Sequence, residues 1–546
     1  MSAADPLMTA DSEVKDALPV VVDSRWSRLE RWIERGSEKL NPILVKEARQ
    51  ALKSNQFAVT FTLLLICAWG WSLLGVTFLS TNISIGPSGT DMLIGYVIIL
   101  IVPLLIIVPF SAFRSLAAER EDGTFELLSI TALSARQIIT GKLGSAVLQM
   151  VIYFSALSPC VAFTYLLRGV DVFTILLALG YSFVISLLLS VFGLLVATIT
   201  RARHWQVLLS VALILGLVFV TIVWGYTVAG MAYFGMVGYD SSEFWISMVA
   251  VLTGGFSFFV LFLYAAAGNI SFASDNRSTR LRVVMLGQQG LWLGWMLYLW
   301  MRTSVNDALG FALFIAGLYW GVAGALMTGE SAQLSPRTKR SLPQSFLGRA
   351  LCTWFNPGSG TGYMFAVTNM FCVVFVLNVA VIAAQVVGFG VTFTNMDMVW
   401  GGIMTWSYLT AYLGVGRLIF LLLRRYVPSS LLLAFLIHVV LNLIGCAFPP
   451  MIESWIIGFQ TIDYSPLEMT NWVWTLSEAW KGNLWNNPVV PIMVCGFAVV
   501  MLAINLVLTA AEVEQVRQET PDRVRQDELV LHPERARKPV RSSPWD

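Results

Sequence analysis

AEREDGTFELLSITALSARQIITGK, residues 118–142, is the longest polar interruption between hydrophobic spans in the first half of the chain. On either side of it the sequence reads as membrane. The stretch itself reads as something the membrane holds out to a partner. Glu119, Arg120, Glu121 and Asp122 form a charged terminus, and Gly123 permits a sharp turn. Thr124 can cap a short helix, FELLSI, with Glu126 near its positive end and Phe125, Leu127 and Leu128 presented outward. Ser134 and Gln137 then form a capping box ahead of Ile138 and Ile139, so the next helix starts before its apolar run. A short apolar helix in an aqueous loop needs a surface. It lies either on the protein's own helix ends or on a separate soluble protein.

Composition sets the class around this stretch. The 546 residues are 57% hydrophobic and 12% charged, far more apolar than a soluble chain of that length. This is the composition of an all-α integral membrane protein. The six cysteines are scattered and form neither a disulfide framework nor a CxxC metal site. A net charge of +2 gives no reason to expect a nucleic-acid partner, because basic residues in such a chain are placed first by topology. Residues 1–23 are polar and acidic, without the apolar core of a signal peptide, and read as a disordered lead-in.

About twelve transmembrane helices are expected, since one crossing takes roughly 20 apolar residues. The candidate limits in the first half are 57–79, 93–113, 144–167, 173–198, 205–229 and 246–268. In the second half they are 283–301, 308–328, 363–388, 398–423, 430–450 and 488–511. Charge tests this count independently. Of 35 Lys and Arg, only Arg168, Arg302 and Lys481 fall in the loops that would lie outside, and Arg417 falls within a span. The rest occupy inside segments, as expected if both termini are cytoplasmic. Residues 269–282 then form a cytoplasmic linker and 512–546 a charged cytoplasmic tail.

Residues 24–56 read as an amphipathic cytoplasmic elbow. Trp26, Leu29, Trp32 and Ile33 recur at helical spacing among charges, and Asn41-Pro42 opens a second helix, PILVKEARQALK. Lys46, Glu47 and Arg49 supply its polar side. This elbow is either a basic flank that orients the first span or a helix packed against a cytoplasmic partner.

Over about residues 24–268 the chain resembles the ABC-2 type transport permeases, the membrane subunits of certain ABC transporters. The resemblance rests on AEREDGTFELLSITALSARQIITGK before the third span and on NPILVKEARQALKSNQF before the first. In that family the two elements form a coupling helix and a connecting helix, both against the ATPase. The resemblance implies an ATPase-coupling set of Glu119, Arg120, Glu121, Gly123, Thr124, Phe125, Glu126, Leu127 and Leu128. It implies elbow contacts from Pro42, Lys46, Glu47 and Arg49. It further implies a multi-pass exporter subunit in a bacterial cytoplasmic (inner) membrane, surrounded by lipid. ATP and Mg would be bound by a separate ABC ATPase subunit. This chain has no Walker A sequence of its own: ITGKL at 139–143 lacks both the first Gly and the final Ser or Thr. No catalytic, cofactor-binding or metal-binding residue is expected in it.

Residues 283–511 form a second six-span domain without a second copy of the charged-Gly-Thr-Glu-Leu-Leu segment. In the corresponding place stands SPRTKRSLPQSFLGRALCTWFNPGSGTGY, which is basic and rich in Ser, Pro and Gly. It is either a diverged coupling loop or a plain solvated one. The second domain is correspondingly either a diverged repeat or an addition. With a single coupling segment, a homodimer or a pairing with another permease is the expected unit.

The alternative reading is a secondary transporter, or a non-transporting membrane protein of similar architecture. Proton coupling generally needs ionisable groups within the membrane. No Asp or Glu falls inside the twelve spans, and Arg417 is near enough to Arg424 to snorkel toward the cytoplasm. His438 and Asn442 share one helix face, as a buried inter-helix hydrogen bond or as a substrate contact. Gly290 and Gly294, then Gly317 and Gly321, suggest a close-packed hairpin between the seventh and eighth spans.

Overall fold

The first described helix begins as its cap residues dictate. Asn41 accepts from the Ile43 amide at 3.1 Å, and Pro42 takes the first helical position, where no N–H is needed. The computed structural model describes residues 41–85, 88–123, 133–199, 203–234, 238, 240–272, 275–303, 307–332, 334–335, 339, 348, 352–387, 395–427, 430–457, 464–483, 488–517 and 522–531. The lead-in, the Trp26 helix and the 124–130 helix expected from the sequence lie outside these residues.

The helices are α1 (Pro42–Lys53), α2 (Asn55–Ile85), α3 (Gly89–Glu121), α4 (Ala135–Leu166), α5 (Val172–Ile199), α6 (Arg203–Phe234) and α7 (Ser242–Ile270). After them come α8 (Ser278–Thr303), α9 (Asp307–Met327), α10 (Ser359–Val386), α11 (Asn395–Leu423), α12 (Leu431–Ile457), α13 (Trp472–Trp480), α14 (Val489–Arg517) and α15 (Asp522–Leu531). No strand occurs among the described residues. Among the described residues, eleven helices are long and apolar enough to cross a bilayer. Of the twelve expected crossings, only the seventh is not among them. Helix α8 forms, with 26 residues, but Arg280, Arg282, Gln288 and Gln289 dilute its apolar run.

The two ends of the bundle sort as alternate crossings require. One end gathers α1, the last turns of α3, α5 and α7, and the start of α4. At the other end, the Gly89 amide donates to the Arg168 carbonyl at 2.8 Å and Thr90 to the Gly169 carbonyl at 3.1 Å. There too Tyr233 donates to Asp91 at 2.6 Å and Arg302 to Ser242 at 2.9 Å. We call the first the elbow end and the second the far end.

Pro103 and Pro109 disturb α3 as their missing N–H groups require. Residues Pro103–Ile107 form a π turn, and the Val108 amide bonds to the Pro103 carbonyl. The Leu104 carbonyl would next call on residue 109, which has no N–H to give. Ser186 of α5 donates to it instead, at 2.5 Å. About two turns further along α5 toward the elbow end, a Cβ on Gly193 would stand 2.8 Å from the Pro109 carbonyl oxygen, so the two backbones approach closely there.

The core is bipartite. One apolar cluster draws its buried residues from Ile43 to Ala267, and a second from Met285 to Leu413, with a satellite that includes Met404, Tyr408 and Val494. The seam between them is α7 against α8, where Trp295 donates to Thr253 at 3.0 Å and Gln288 to Ser257 at 3.3 Å. Helices α8 and α9 pack on one another, with Tyr319 donating to Gln288 at 3.0 Å, but not through the expected glycines. Nothing lies within 4 Å of a Cβ built on Gly290 or Gly294, whereas Gly317 and Gly321 face Thr405 and Leu409 of α11.

Candidate functional site

The quoted stretch is anchored at both margins, at the elbow end. On its near side α3 runs to Glu121, and Gly123 takes φ +70, the left-handed turn its lack of a side chain allows. On its far side Ser134 caps α4 reciprocally: the Gln137 amide donates to its hydroxyl, and its own amide donates to Gln137 Oε1 at 2.9 Å. Arg120 reaches across to donate to the Ala197 carbonyl at 3.0 Å, and the Arg136 guanidinium lies 4.4 Å over the Tyr264 ring.

Helix α1 lies on the first turns of α4. Two glycines make room for it, since a Cβ on Gly141 would meet Ile43 at 2.9 Å and one on Gly144 would meet Leu44 at 2.7 Å. Asn41 also donates to the Gln137 carbonyl. Between these helices sits an ion cluster. Lys142 Nζ stands 2.9 Å from Glu119 Oε2 and 3.1 Å from Glu47 Oε1, and Lys46 Nζ stands 3.5 Å from Glu119 Oε1. The Lys142 side chain is 1% exposed and lies between those two carboxylates. Beside the cluster, Glu47, Ser115, Lys142, Ser145, Gln149 and Tyr153 are among the residues lining a cavity of about 320 Å³.

The structure thus brings together Lys46 and Glu47 of the elbow with Glu119 of the quoted stretch. Arg49, Glu121 and Gly123 are exposed at the same end, as is Pro42. Thr124, Phe125, Glu126, Leu127 and Leu128 lie outside the described residues. Lys142 is the member that sequence reasoning passed over. Its signal was a lone lysine at the threshold of an apolar run, where an unpaired charge would be costly.

Arg417 corrects the sequence expectation. It does not snorkel; it is 1% exposed and faces inward. Its Nε donates to Ser359 at 3.1 Å, and Nη1 donates to the Asn505 carbonyl, Asn505 Oδ1 and Thr509 at 3.0 to 3.1 Å. Nη2 pairs with Glu512 at 3.0 Å. Five donor contacts in a packed site outweigh the gain from extending toward solvent. A second buried pair lies beside it: Arg282 Nη2 and Glu330 Oε2 are 2.6 Å apart, with Arg282 stacked 5.5 Å over Phe365. Arg282 also donates to the Trp354 and Asn356 carbonyls, and the Ser278 hydroxyl and Gly358 amide donate to Glu330.

His438 meets both margins of the space between α11 and α12. Nδ1 lies 2.7 Å from the Ala434 carbonyl and Nε2 lies 3.4 Å from the Leu413 carbonyl of α11. Asn442 donates within its own helix, to the His438 carbonyl at 2.8 Å. Both line a largely apolar cavity of about 390 Å³ with Tyr408, Tyr412, Cys446 and Trp472. Its far end is closed by the segment from Pro466 to Trp480, which Tyr408 and Tyr412 hold by donating to the Met469 and Thr470 carbonyls. In that segment Glu468 is fully buried and accepts from Asn471 at 3.0 Å, and burial pushes its carboxyl above the ordinary glutamate range. Hydrogen bonds from Asn483 and Lys481 hold Glu478 below that range.

Fold and site together define a polytopic all-α membrane protein with a charge-latched junction at one end of its bundle. Comparison of the chain with protein-family models, with curated proteins and with solved structures finds no match. Among the described residues no group of three or more His, Cys, Asp or Glu is placed to hold a metal ion.

Proposed function

We propose that this chain is the permease subunit of an ATP-driven exporter in a bacterial inner membrane, coupled to a separate ATPase through the 119–130 segment. The observation that carries the reading is the Lys142 cluster. It ties α1, the end of α3 and the start of α4 into one body at the margins of that segment. A force on the segment therefore reaches α1, α3 and α4 together. Along α3 it runs to the π turn at Pro103–Ile107, where the helix ladder is already interrupted and bending costs least. The ATPase would bind Mg-ATP and supply the force, and this chain would supply the path.

The test is a purification of the tagged chain in detergent, followed by photolabelling with 8-azido-ATP. A co-purifying labelled subunit is expected, with its ATPase activity lowered several-fold by Gly123→Pro. A purified chain that brings no labelled subunit overturns the reading.

A further inference from the structure

Six crossings separate the start of α2 from the start of α8, so both begin at the elbow end and run in the same direction. Among α2–α7, the closely packed pairs are α2 with α3 and α4, α3 with α4, α5 and α6, α4 with α5 and α7, and α5 with α6 and α7. Take α8, α9, α10, α11, α12 and α14 as a second set of six. Their closely packed pairs are α8 with α9 and α10, α9 with α10, α11 and α12, α10 with α11 and α14, and α11 with α12 and α14. Every pairing of the first set recurs at the same place in the second, and neither set has one that the other lacks. Each set also encloses its own apolar core.

The polar junctions at the elbow end correspond as well. An acid marks the exit of the second helix in each set: Glu119 in the last turn of α3, and Glu330 three residues beyond α9. A cation from the entry to the first helix faces it, Lys46 of α1 in one case and Arg282 in the first turns of α8 in the other. The third helix supplies a further donor to that acid, through Lys142 in α4 and through the Gly358 amide ahead of α10. The fourth and sixth helices are also joined there, by Asn269 donating to Thr198 and by Arg417 pairing with Glu512. The second set differs in having no elbow helix before α8 among the described residues.

We infer that the chain is an internal duplication of one six-helix unit in parallel orientation, and that the Arg282–Glu330 junction is the counterpart of the Lys142–Glu119 junction. This rests on the proposed function for its consequence: one polypeptide supplies both membrane halves and presents two ATPase docking ends. The single recognisable coupling segment in the sequence argued for two chains. The repeated packing argues for one.

Native mass spectrometry of the complex purified from detergent decides it by counting chains and 8-azido-ATP-labelled subunits. One chain with two labelled subunits is expected. Two chains with two labelled subunits overturns the inference and leaves the proposed function standing, and one chain with a single labelled subunit overturns it as well, because the second junction then does not dock. No labelled subunit removes the proposed function and, with it, the second docking end. Arg282→Glu should halve the labelled subunits per chain, and adding Glu330→Arg should restore them. Retention of both subunits by a folded Arg282→Glu chain also overturns the assignment.

Discussion

Arg417 of α11 and Glu512 of α14 stand 3.0 Å apart, 95 residues distant in sequence, and their pairing closes the elbow end of the second core. Removing Glu512 leaves Arg417 charged with its side chain 1% exposed, which costs far more than the pair itself contributes. Glu512→Gln is therefore expected to destabilise the protein by about 3 kcal/mol. The double variant Arg417→Met with Glu512→Gln should recover much of that loss. Thermal unfolding of the detergent-solubilised chain measures both. Additive losses would mean that the two side chains do not interact.

Lys142 makes the same argument at the first junction, with two carboxylates in place of one. Lys142→Met leaves Glu47 and Glu119 facing each other without their buried cation, with only the exposed Lys46 near them, again an expected loss of about 3 kcal/mol. Glu47→Gln with Glu119→Gln on that background removes the repulsion and should restore most of the stability. If the latch also transmits force, the restored triple variant stays folded while stimulation of the partner's ATPase falls. Stability and coupling measured on one preparation separate the two roles.

Local chemistry made much of this fold readable from sequence. Asn41 with Pro42, and Ser134 with Gln137, act on amides two or three residues away, so their caps were evident before any tertiary structure. The alternation of crossings was legible because Lys and Arg avoid one side of a membrane. Long-range pairing was not legible. Nothing near Arg417 points to a glutamate in another helix, and the sequence assigns Glu512 to the tail, whereas a 29-residue helix carries it back to the bundle. The glycines of α8 misled for a related reason. Spacing at i and i+4 shows which residues share a face but not whether another helix lies against it. The duplication left almost no trace in the side chains, because helix pairing in lipid tolerates many apolar sequences, whereas the packing order of the helices persists.

Gly193 tests the closest approach in the first unit. A Cβ there would stand 2.8 Å from the backbone oxygen of Pro109, and a backbone atom cannot rotate away as a side chain can. Gly193→Ala must push α3 and α5 apart, at an expected cost of about 1–3 kcal/mol. Gly180, in the same helix, has nothing within 4 Å of a built Cβ, so Gly180→Ala should be neutral or slightly stabilising. Paired unfolding measurements give the contrast, and equal effects at the two sites would refute the close contact.

The outer segment yields a prediction in pH. Glu468 is fully buried against Glu453, and burial raises its carboxyl above the unfolded value of about 4.3. Below that unfolded value both states carry the proton, and the group contributes no pH dependence. As pH rises toward the folded value, the unfolded chain gives up its proton first, so the native state steadily loses relative stability. Glu468→Gln has no proton to lose. It should match the wild type in acid and exceed it increasingly as pH rises through this window, with a constant advantage above it. Glu478 works in the opposite sense, since its lowered carboxyl stabilises the fold above the unfolded value and withdraws that support only as pH falls through its own folded value. Its effect therefore lies on the acid side and leaves the Glu468 window clear. A series of unfolding temperatures from acid to neutral pH reads the difference directly, and a wild-type-to-variant gap that does not change with pH would show that Glu468 titrates as an ordinary exposed glutamate.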